Sequence, residues 1–330
     1  MTVKIIDKWT ELDTNGPGPQ VIALGNFDGV HIGHRQLITA TVAKAKQLGA
    51  QATVLTFNPH PLQLLAPDKF PRLLSTLNQR LHYFAQLGVD QTILLPFTQE
   101  IADESPQKFV ADVLVGKLHA AHIFVGFNYT FGQGGKAGPA ELEELGRTYG
   151  FGVSVIGPIA VQGVTVSSTE VRQAMERGDI ADAKAFLGYW PALEGIVVSG
   201  DRVGRTIGFP TANVEPLDEI LIPARGVYAA WVAVDGKLWP SMVNIGLRPT
   251  FQTVERPTIE AHLFDFAEDI YDHKVEIIFC QRLRDECKFA SIDELIAQLQ
   301  QDKMQTLHVL QSETEKPGFA QNIAAQTGLL

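Results

Sequence analysis

From Val21 to Ile156 the chain alternates short apolar runs with stretches of helical period, and nothing else in the sequence limits its fold as sharply. Val21–Gly25 reads as a buried strand and Arg35–Leu48 as a helix closed by Gly49. Ala52–Phe57 is the next strand, Thr76–Leu87 a helix with Gly88 behind it, and Thr92–Leu95 a third strand. Ser105 then supplies an N-cap, and Pro106 a first-turn proline, for another helix. His122–Gly126 and Gly152–Ile156 are two more strands, with a helix starting near Pro139 between them. Strands that alternate with helices pair in parallel and are covered on both faces. The expectation is an α/β chain whose N-terminal domain is a doubly wound, Rossmann-like parallel sheet. Ligands of such sheets bind beyond the carboxyl ends of the strands.

Near residue 190 the pattern changes. Leu193–Ser199, Val227–Val234, Leu238–Asn244, Ile259–Phe264 and Val275–Phe279 read as strands with no helix between them. Asp235-Gly236 is a hairpin turn signal. Such a run predicts a compact antiparallel barrel or sandwich. Ser291-Ile-Asp-Glu294 has capping-box spacing and opens one late helix, Ile292–Leu299. The junction falls in Phe186–Pro191, giving domains of 1–186 and 187–330, and 330 residues suit two domains. From about Glu313 the chain reads as a loosely held tail.

Composition narrows the partners. Lys and Arg number 27 against 37 Asp and Glu, a net charge of −10 that argues against a broad nucleic-acid-binding face. A small anionic ligand needs only a few local donors and stays open. Cys280 and Cys287 fit a reduced compartment and make a poor zinc site. The stretch MTVKIIDKWTELD lacks a signal-peptide core, and no apolar run approaches a membrane span. The expected location is the cytoplasm, with no membrane, nucleic-acid or obligate protein partner.

The first chemical signal is the run Asn26-Phe-Asp-Gly-Val-His31-Ile-Gly-His34, placed between a strand and a helix. Glycines let backbone approach a phosphate, and the helix start offers free N–H groups and a positive dipole end. Two imidazoles one turn apart can donate hydrogen bonds to phosphorus-bound oxygens as charge develops. His-x-Gly-His after a strand marks nucleotidyltransferases that attack the α-phosphate of a nucleoside triphosphate. A second piece is Ser167-Ser-Thr-Glu-Val-Arg172, where Ser167 and Glu170 have capping-box spacing and Arg172 projects from the first turn. Alone, it is as readily an ordinary capped helix. Gly132-Gln-Gly-Gly-Lys136-Ala-Gly138 lacks P-loop spacing and reads as a surface turn. Class I aminoacyl-tRNA synthetases also carry His-Ile-Gly-His, but no Lys-Met-Ser-Lys-Ser-like loop is found here.

The second signal is Gly200-Asp-Arg-Val-Gly204-Arg205-Thr-Ile-Gly208-Phe-Pro210-Thr211-Ala-Asn213. Its glycines suggest a loop approaching a ligand. Thr211 and Asn213 carry hard oxygens of the kind that suit Mg²⁺. On the residues alone a decorated turn is the simpler reading.

With these motifs in hand, the chain resembles the bacterial bifunctional riboflavin kinase/FMN adenylyltransferases, or FAD synthetases, from about Val21 to Asp302. The likeness rests on Gly25–His34, Thr56-Phe-Asn-Pro-His60-Pro61, Val125-Gly-Phe-Asn128-Tyr-Thr-Phe131-Gly132 and Ser167–Arg172 in the first domain. In the second it rests on Gly200–Asn213, Gly226-Val-Tyr228, Asn244-Ile-Gly-Leu-Arg248-Pro-Thr-Phe251, Ile259–Phe266 and Leu283-Arg284-Asp-Glu286-Cys-Lys-Phe289. The resemblance implies an enzyme that phosphorylates riboflavin to FMN and adenylylates FMN to FAD, with ATP as co-substrate and Mg²⁺ as cofactor. It implies that His31, His34 and Arg172 handle ATP phosphates and that Glu260 is the base of the kinase half. Thr211 and Asn213 would hold Mg²⁺-ATP. Ligand contacts are implied for Gly25, Phe27, Asp28, Gly33, His60, Asn128, Ser167, Ser168 and Thr169. In the barrel they are implied for Gly204, Arg205, Gly208, Pro210, Asn244, Arg248 and Arg284. His60, flanked by prolines, is on its residues equally a turn histidine. The alternation Ile259, Ala261, Leu263 against Glu260, His262, Phe264 turns Glu260 away from its apolar neighbours, with His262 structural on the same face. A flavin or nucleotide sensor that has lost catalysis is the alternative function.

Overall fold

The computed structural model describes residues 4–6, 18–200, 203–217, 219–247, 257–312 and 316–319. Arg248, one of the expected ligand contacts, lies outside them, as do residues 249–251 of the same motif. The chain divides into two compact units, one of Met1–Pro71 with Leu77–Val166, the other of Arg72–Thr76 with Ser167–Gln321.

In the first unit, β1 (Lys4–Ile6), β2 (Gln20–Leu24), β3 (Gln51–Phe57), β4 (Gln91–Leu95), β5 (Ala120–Gly126) and β6 (Gly152–Ile156) form one sheet. Its order is β1-β4-β3-β2-β5-β6, and every neighbouring pair is parallel. All five residues of β2 and of β4 are buried, so both faces are covered, as the uninterrupted apolar runs require. The edge strand β1 is only three residues long and left no periodic signal. The chain builds outward from β2 through β3 to β4, then crosses back to β5 and β6. The carboxyl end of β2 therefore faces a topological switch point, the ordinary ligand position of such sheets. The following helix, Ile32–Leu48, starts three residues before the expected Arg35 and closes on Gly49 at φ +62. A small hairpin of β7 (Ala160–Val161) and β8 (Val164–Thr165) was too short to read in sequence.

The second unit settles the choice between barrel and sandwich. Strands β9 (Ala192–Val198), β10 (Ala212–Pro216), β11 (Gly226–Val234), β12 (Lys237–Leu247), β13 (Pro257–Leu263) and β14 (Lys274–Arg284) close into an antiparallel barrel. Around it the order is β10-β13-β12-β11-β14-β9. Asp235-Gly236 makes the expected turn, with both φ values positive. Strand β10 corrects the sequence reading, which left Ala212 and Asn213 in a loop. The glycine-rich run before it masked the strand, and only pairing with β9 and β13 defines it. A second short segment, Arg72–Thr76, joins this unit through Leu73. Its N–H donates to Glu219 O at 2.9 Å, and its carbonyl accepts from Leu221 N at 2.8 Å. The Thr76 hydroxyl donates to the buried Glu194 carboxylate, so the following helix begins at Leu77 rather than Thr76.

The late helix runs Ile292–Ser312, well past the expected Leu299. Gln300-Gln-Asp-Lys interrupts its apolar stripe and hid the continuation, yet Asp302 is 1% exposed. Its carboxylate takes the Arg284 guanidinium through Nε at 3.0 Å and Nη2 at 2.7 Å, and also accepts from Gln298 at 2.9 Å. Beyond it Val309 and Leu310 pack on Trp231 and Ile278. Of the expected tail, 313–315 and 320–330 lie outside the described residues. Phe319 packs on that same apolar cluster, and Lys316 lies 5.2 Å from the Trp231 ring.

Removing one partner of a largely buried ion pair leaves the other uncompensated. Asp302→Ala is expected to destabilise the barrel unit by about 2 kcal/mol, discounted for the partial exposure of Arg284. Urea unfolding followed by tryptophan fluorescence measures it, and a loss below about 0.5 kcal/mol would show that helix docking does not depend on the pair.

Candidate functional site

The first site begins with a buried turn. After β2, Gly25 N–H donates to Leu55 O at 3.3 Å, and Phe27 then adopts left-handed backbone at φ 53. That conformation costs a non-glycine residue about 1–2 kcal/mol. Burying the Phe27 ring, 1% exposed, returns about 1.5–3 kcal/mol and outweighs it. The ring fixes its neighbours. A Cβ at Gly25 would sit 3.1 Å from it, so any larger residue there would press the ring aside by a few tenths of an ångström. It also meets His34 edge to face at 5.2 Å and Phe84 at 5.7 Å. Asp28, 3% exposed, and Gly29, at φ +75, complete the turn.

His31 is the N-cap of helix Ile32–Leu48, and its Nδ1 accepts from His34 N at 3.3 Å. The neutral ring therefore carries its proton on Nε2, which makes that nitrogen a donor. A Cβ at Gly33 would lie 3.1 Å from the His31 ring, so that glycine seats the imidazole. The His31 and His34 rings stack at 3.6 Å with 17° between planes. Burial lowers the pKa of His31 to about 4, against a smaller opposing backbone hydrogen bond. His34 is held well below its ordinary value by burial first and by His31 beside it second. Its Nδ1 is buried with no hydrogen-bond partner. Two neutral, stacked imidazoles at a helix mouth could receive an anion by hydrogen bonding without being a pair of standing charges.

The other nominated residues of this unit take varied positions. His60 caps the short helix Pro61–Leu65, its Nδ1 accepting from Leu62 N at 3.2 Å and its N–H donating to Gln63 Oε1 at 3.0 Å. The sequence context suggested a turn histidine, and the short helix it caps was not anticipated. Asn128 is exposed just past β5, which adjoins β2 across the switch point, and Phe127 beside it is 47% exposed. Gly132–Gly138 is a turn exposed at residues 133–136 and closed by a bridge from Phe131 to the buried Ala137.

Ser167–Arg172 falls in the second unit. Ser167 caps helix Ser168–Arg177, its Oγ accepting from Glu170 N at 3.2 Å, with Ser168 and Thr169 in the first turn. Arg172 Nε donates to Arg72 O at 2.8 Å, within the same unit.

The barrel gathers its nominated residues by register. Asn213 on β10 lies opposite Glu260 on β13, and Glu260 lies opposite Asn244 on β12. Asn244 faces Val227 on β11, and Val227 faces Arg284 on β14. Directly opposed residues share a face, so Asn213, Glu260 and Asn244 form one polar rung. Two residues along β13, His262 opposes Met242, which packs beneath the terminal helix; the rung is thus on the outside of the barrel. His262 Nδ1 donates to Pro210 O at 2.6 Å and its ring touches Phe209 at 5.3 Å. These contacts tie the Gly204–Thr211 loop to β13, which is a structural role.

Two glycines shape that loop. A Cβ at Gly200 would collide with Asn213 Nδ2, so the amide rests directly on glycine backbone. Phe209 N donates to Gly204 O at 2.9 Å, and a Cβ at Gly204 would strike Phe209 O. Thr211 is exposed at the loop's end, Arg205 is exposed on the short helix Val203–Thr206, and Gly208 turns at φ +83. Arg284 is engaged by Asp302. Two features escaped sequence reading. Glu286 lies across Gly246, in the space a Cβ there would fill, and Arg80 is buried below the histidine turn. Arg80 stands in the Thr76–Leu87 helix and Glu286 in the Leu283–Phe289 motif read from sequence, but neither context reveals the contact each makes.

Residues 14–170 match the FAD synthetase family and 187–310 the riboflavin kinase family. The bifunctional riboflavin kinase/FMN adenylyltransferase of Escherichia coli K12 is 40% identical over 285 residues, covering 86% of this chain and 90% of that protein. Those of Listeria monocytogenes and Bacillus subtilis are 38% and 36% identical, covering 91% and 87% of this chain and 93% and 91% of theirs. A solved structure from Streptococcus pneumoniae, described as a macrolide-efflux protein, superposes with a TM-score of 0.84 at 32% identity. That match covers 93% of this chain and 99% of that one. Among the described residues no helix is long and apolar enough to cross a membrane.

The burial of His31 has a consequence for stability. Its folded pKa of about 4 lies below the unfolded value of 6.5, so the unfolded chain binds the extra proton between them. Stability contributed by the neutral ring is complete above pH 6.5 and declines by about 1.4 kcal/mol per pH unit as pH falls towards 4. Urea unfolding at a series of pH values should show a shallower slope in His31→Gln than in the native chain. Identical slopes would contradict the burial argument.

Proposed function

The chain belongs to the bifunctional riboflavin kinase/FMN adenylyltransferase family, and on that premise we propose how its two halves divide the making of FAD from riboflavin. It phosphorylates riboflavin to FMN and adenylylates FMN to FAD, using ATP in both steps. Residues 1–186 would serve adenylyl transfer and 187–330 phosphorylation, in the cytoplasm. What supports the division is that the stacked imidazoles and the Glu260 rung belong to different compact units.

In adenylyl transfer, a phosphate oxygen of FMN forms a bond to the α-phosphorus of ATP as the bond to the β-phosphate oxygen breaks and pyrophosphate leaves. FMN phosphate is anionic at pH 7 and needs no general base. The task is to stabilise transferred charge, for which His31 Nε2–H, His34 and the helix N-terminus offer donors. An arriving anion also favours the protonated form of the imidazoles, so their charge would appear with the ligand. Gly25, Phe27, Asp28 and Gly33 shape this turn. By resemblance Arg172 and the Ser167–Thr169 hydroxyls, which lie in the second unit, would also serve ATP phosphates, and Asn128 and His60 nucleotide and flavin.

In phosphorylation, Glu260 would accept the proton of the terminal ribityl hydroxyl as its oxygen attacks the γ-phosphorus and ADP leaves. Alignment of these groups supplies most of the acceleration. The donors at hand fit Mg²⁺: the Thr211 hydroxyl and the Asn213 amide, next to the Glu260 rung, offer hard oxygens to an ion that keeps its waters and phosphate ligands. When bound, Mg²⁺ would neutralise charge on the triphosphate. Gly204, Arg205, Gly208 and Pro210 build the loop that carries Thr211, while Asn244, Arg248 and Arg284 are the remaining ligand-side nominees. A sensor without catalysis is not favoured, because both halves match enzyme families.

The two activities should fail separately. Glu260→Gln is expected to slow conversion of riboflavin to FMN about 100-fold while FMN to FAD continues, and His34→Ala to do the reverse. Chromatography of flavins after incubation with ATP and Mg²⁺ reads both. Loss of both activities from either change, in a folded chain, would contradict the division.

A further inference from the structure

A buried cation supports the histidine turn from below. Arg80 lies on the helix Leu77–Gln86 and is 6% exposed. Its Nη1 donates to Asn26 O at 3.1 Å, and Thr56 Oγ1 donates to the same oxygen at 3.2 Å. Asn26 is the residue between Gly25 and Phe27, so this carbonyl sits where the chain leaves the strand and enters left-handed backbone. One turn along the same helix, Phe84 meets the Phe27 ring at 5.7 Å and 82°, and Phe27 in turn meets His34. A single helix thus grips the turn twice, by a charge-assisted bond to its backbone and by an aromatic contact to the side chain that seats His34.

A guanidinium stays charged at every pH where the protein is folded. That charge strengthens its hydrogen bond to the Asn26 carbonyl. We propose that Arg80 is a positioning residue for adenylyl transfer, holding the Asn26 carbonyl so that His31 and His34 face the nucleoside triphosphate. The inference rests on the assignment of adenylyl transfer to the histidine turn.

Side chains that separate these roles are available. Methionine keeps the unbranched apolar stem without donor or charge, whereas lysine keeps a donor and the charge. In Arg80→Met, kcat/KM for FMN adenylylation should fall at least 30-fold while riboflavin phosphorylation by the same purified chain stays within twofold. Arg80→Lys should recover adenylylation to within fivefold of the native chain. A packing role alone would be met by methionine and not rescued by lysine. Adenylylation within threefold of native in Arg80→Met, a parallel fall of both activities, or Arg80→Lys as impaired as Arg80→Met would each overturn the proposal. Should Arg80→Met not fold, Thr56→Val deletes the second donor to the same oxygen; a fivefold or greater fall in adenylylation alone supports the proposal and an unchanged rate overturns it. His34→Ala in the same assay separates the two levels. If it leaves adenylylation intact, the assignment of the turn is wrong, whereas a dead His34→Ala beside an active Arg80→Met refutes only the role of Arg80.

Discussion

The contact of the Phe27 ring with Gly25 on one side and His34 on the other sets the geometry of the first half of the molecule. Backbone in the left-handed region is unfavourable for phenylalanine, and it persists here because the ring is almost wholly buried. The turn it enforces aims the start of the next helix at the switch point of the sheet, where N–H groups and imidazoles can face an anion. Gly33 acts in the same way further along, making room for the His31 ring. The chemistry proposed for this turn would therefore depend on aromatic packing beneath it, and a side chain at Gly25 would press on the Phe27 ring.

The second half depends on register instead. A one-residue slip of β13 would carry Glu260 from the outer face to the interior of the barrel and bring Ile259 or Ala261 out. Closure of the six strands prevents that slip, because every strand has two partners. The His262 bond to Pro210 O then sets the loop at the level of the rung, and Gly200 lets the Asn213 amide lie against the backbone. Two unrelated constraints, one aromatic and one of strand pairing, thus shape the two sites to which the two phosphoryl reactions are proposed to belong.

The parallel sheet was readable because its strands are apolar on both faces and its helices carry punctuating caps and glycines, as at Gly49 and Ser105. The histidine turn was readable because motif, strand and helix coincide in a few residues. Strand β10, the excursion of Arg72–Thr76 and the far half of helix Ile292–Ser312 were not, since each is defined by partners distant in sequence. Asp302 illustrates the difficulty: a charged residue that ends an apolar stripe in sequence is among the most buried acids in the structure. The polar rung shows the converse. Glu260 could be placed on a face by alternation, but its neighbours Asn213 and Asn244 emerged only from the pairing of three strands. The chemical roles of His60 and Asn128 rest on resemblance alone, for the hydrogen bonds of His60 are those of a helix cap and Asn128 is exposed.

If one chain performs two transfers at two different phosphorus atoms of ATP, position-labelled ATP reveals it most directly, with riboflavin as the only flavin supplied. Label from the γ-phosphate should appear in FMN and persist in FAD, while label from the α-phosphate should appear in FAD and never in FMN. FMN carrying the α-label, or FAD formed without the γ-label, would contradict the account.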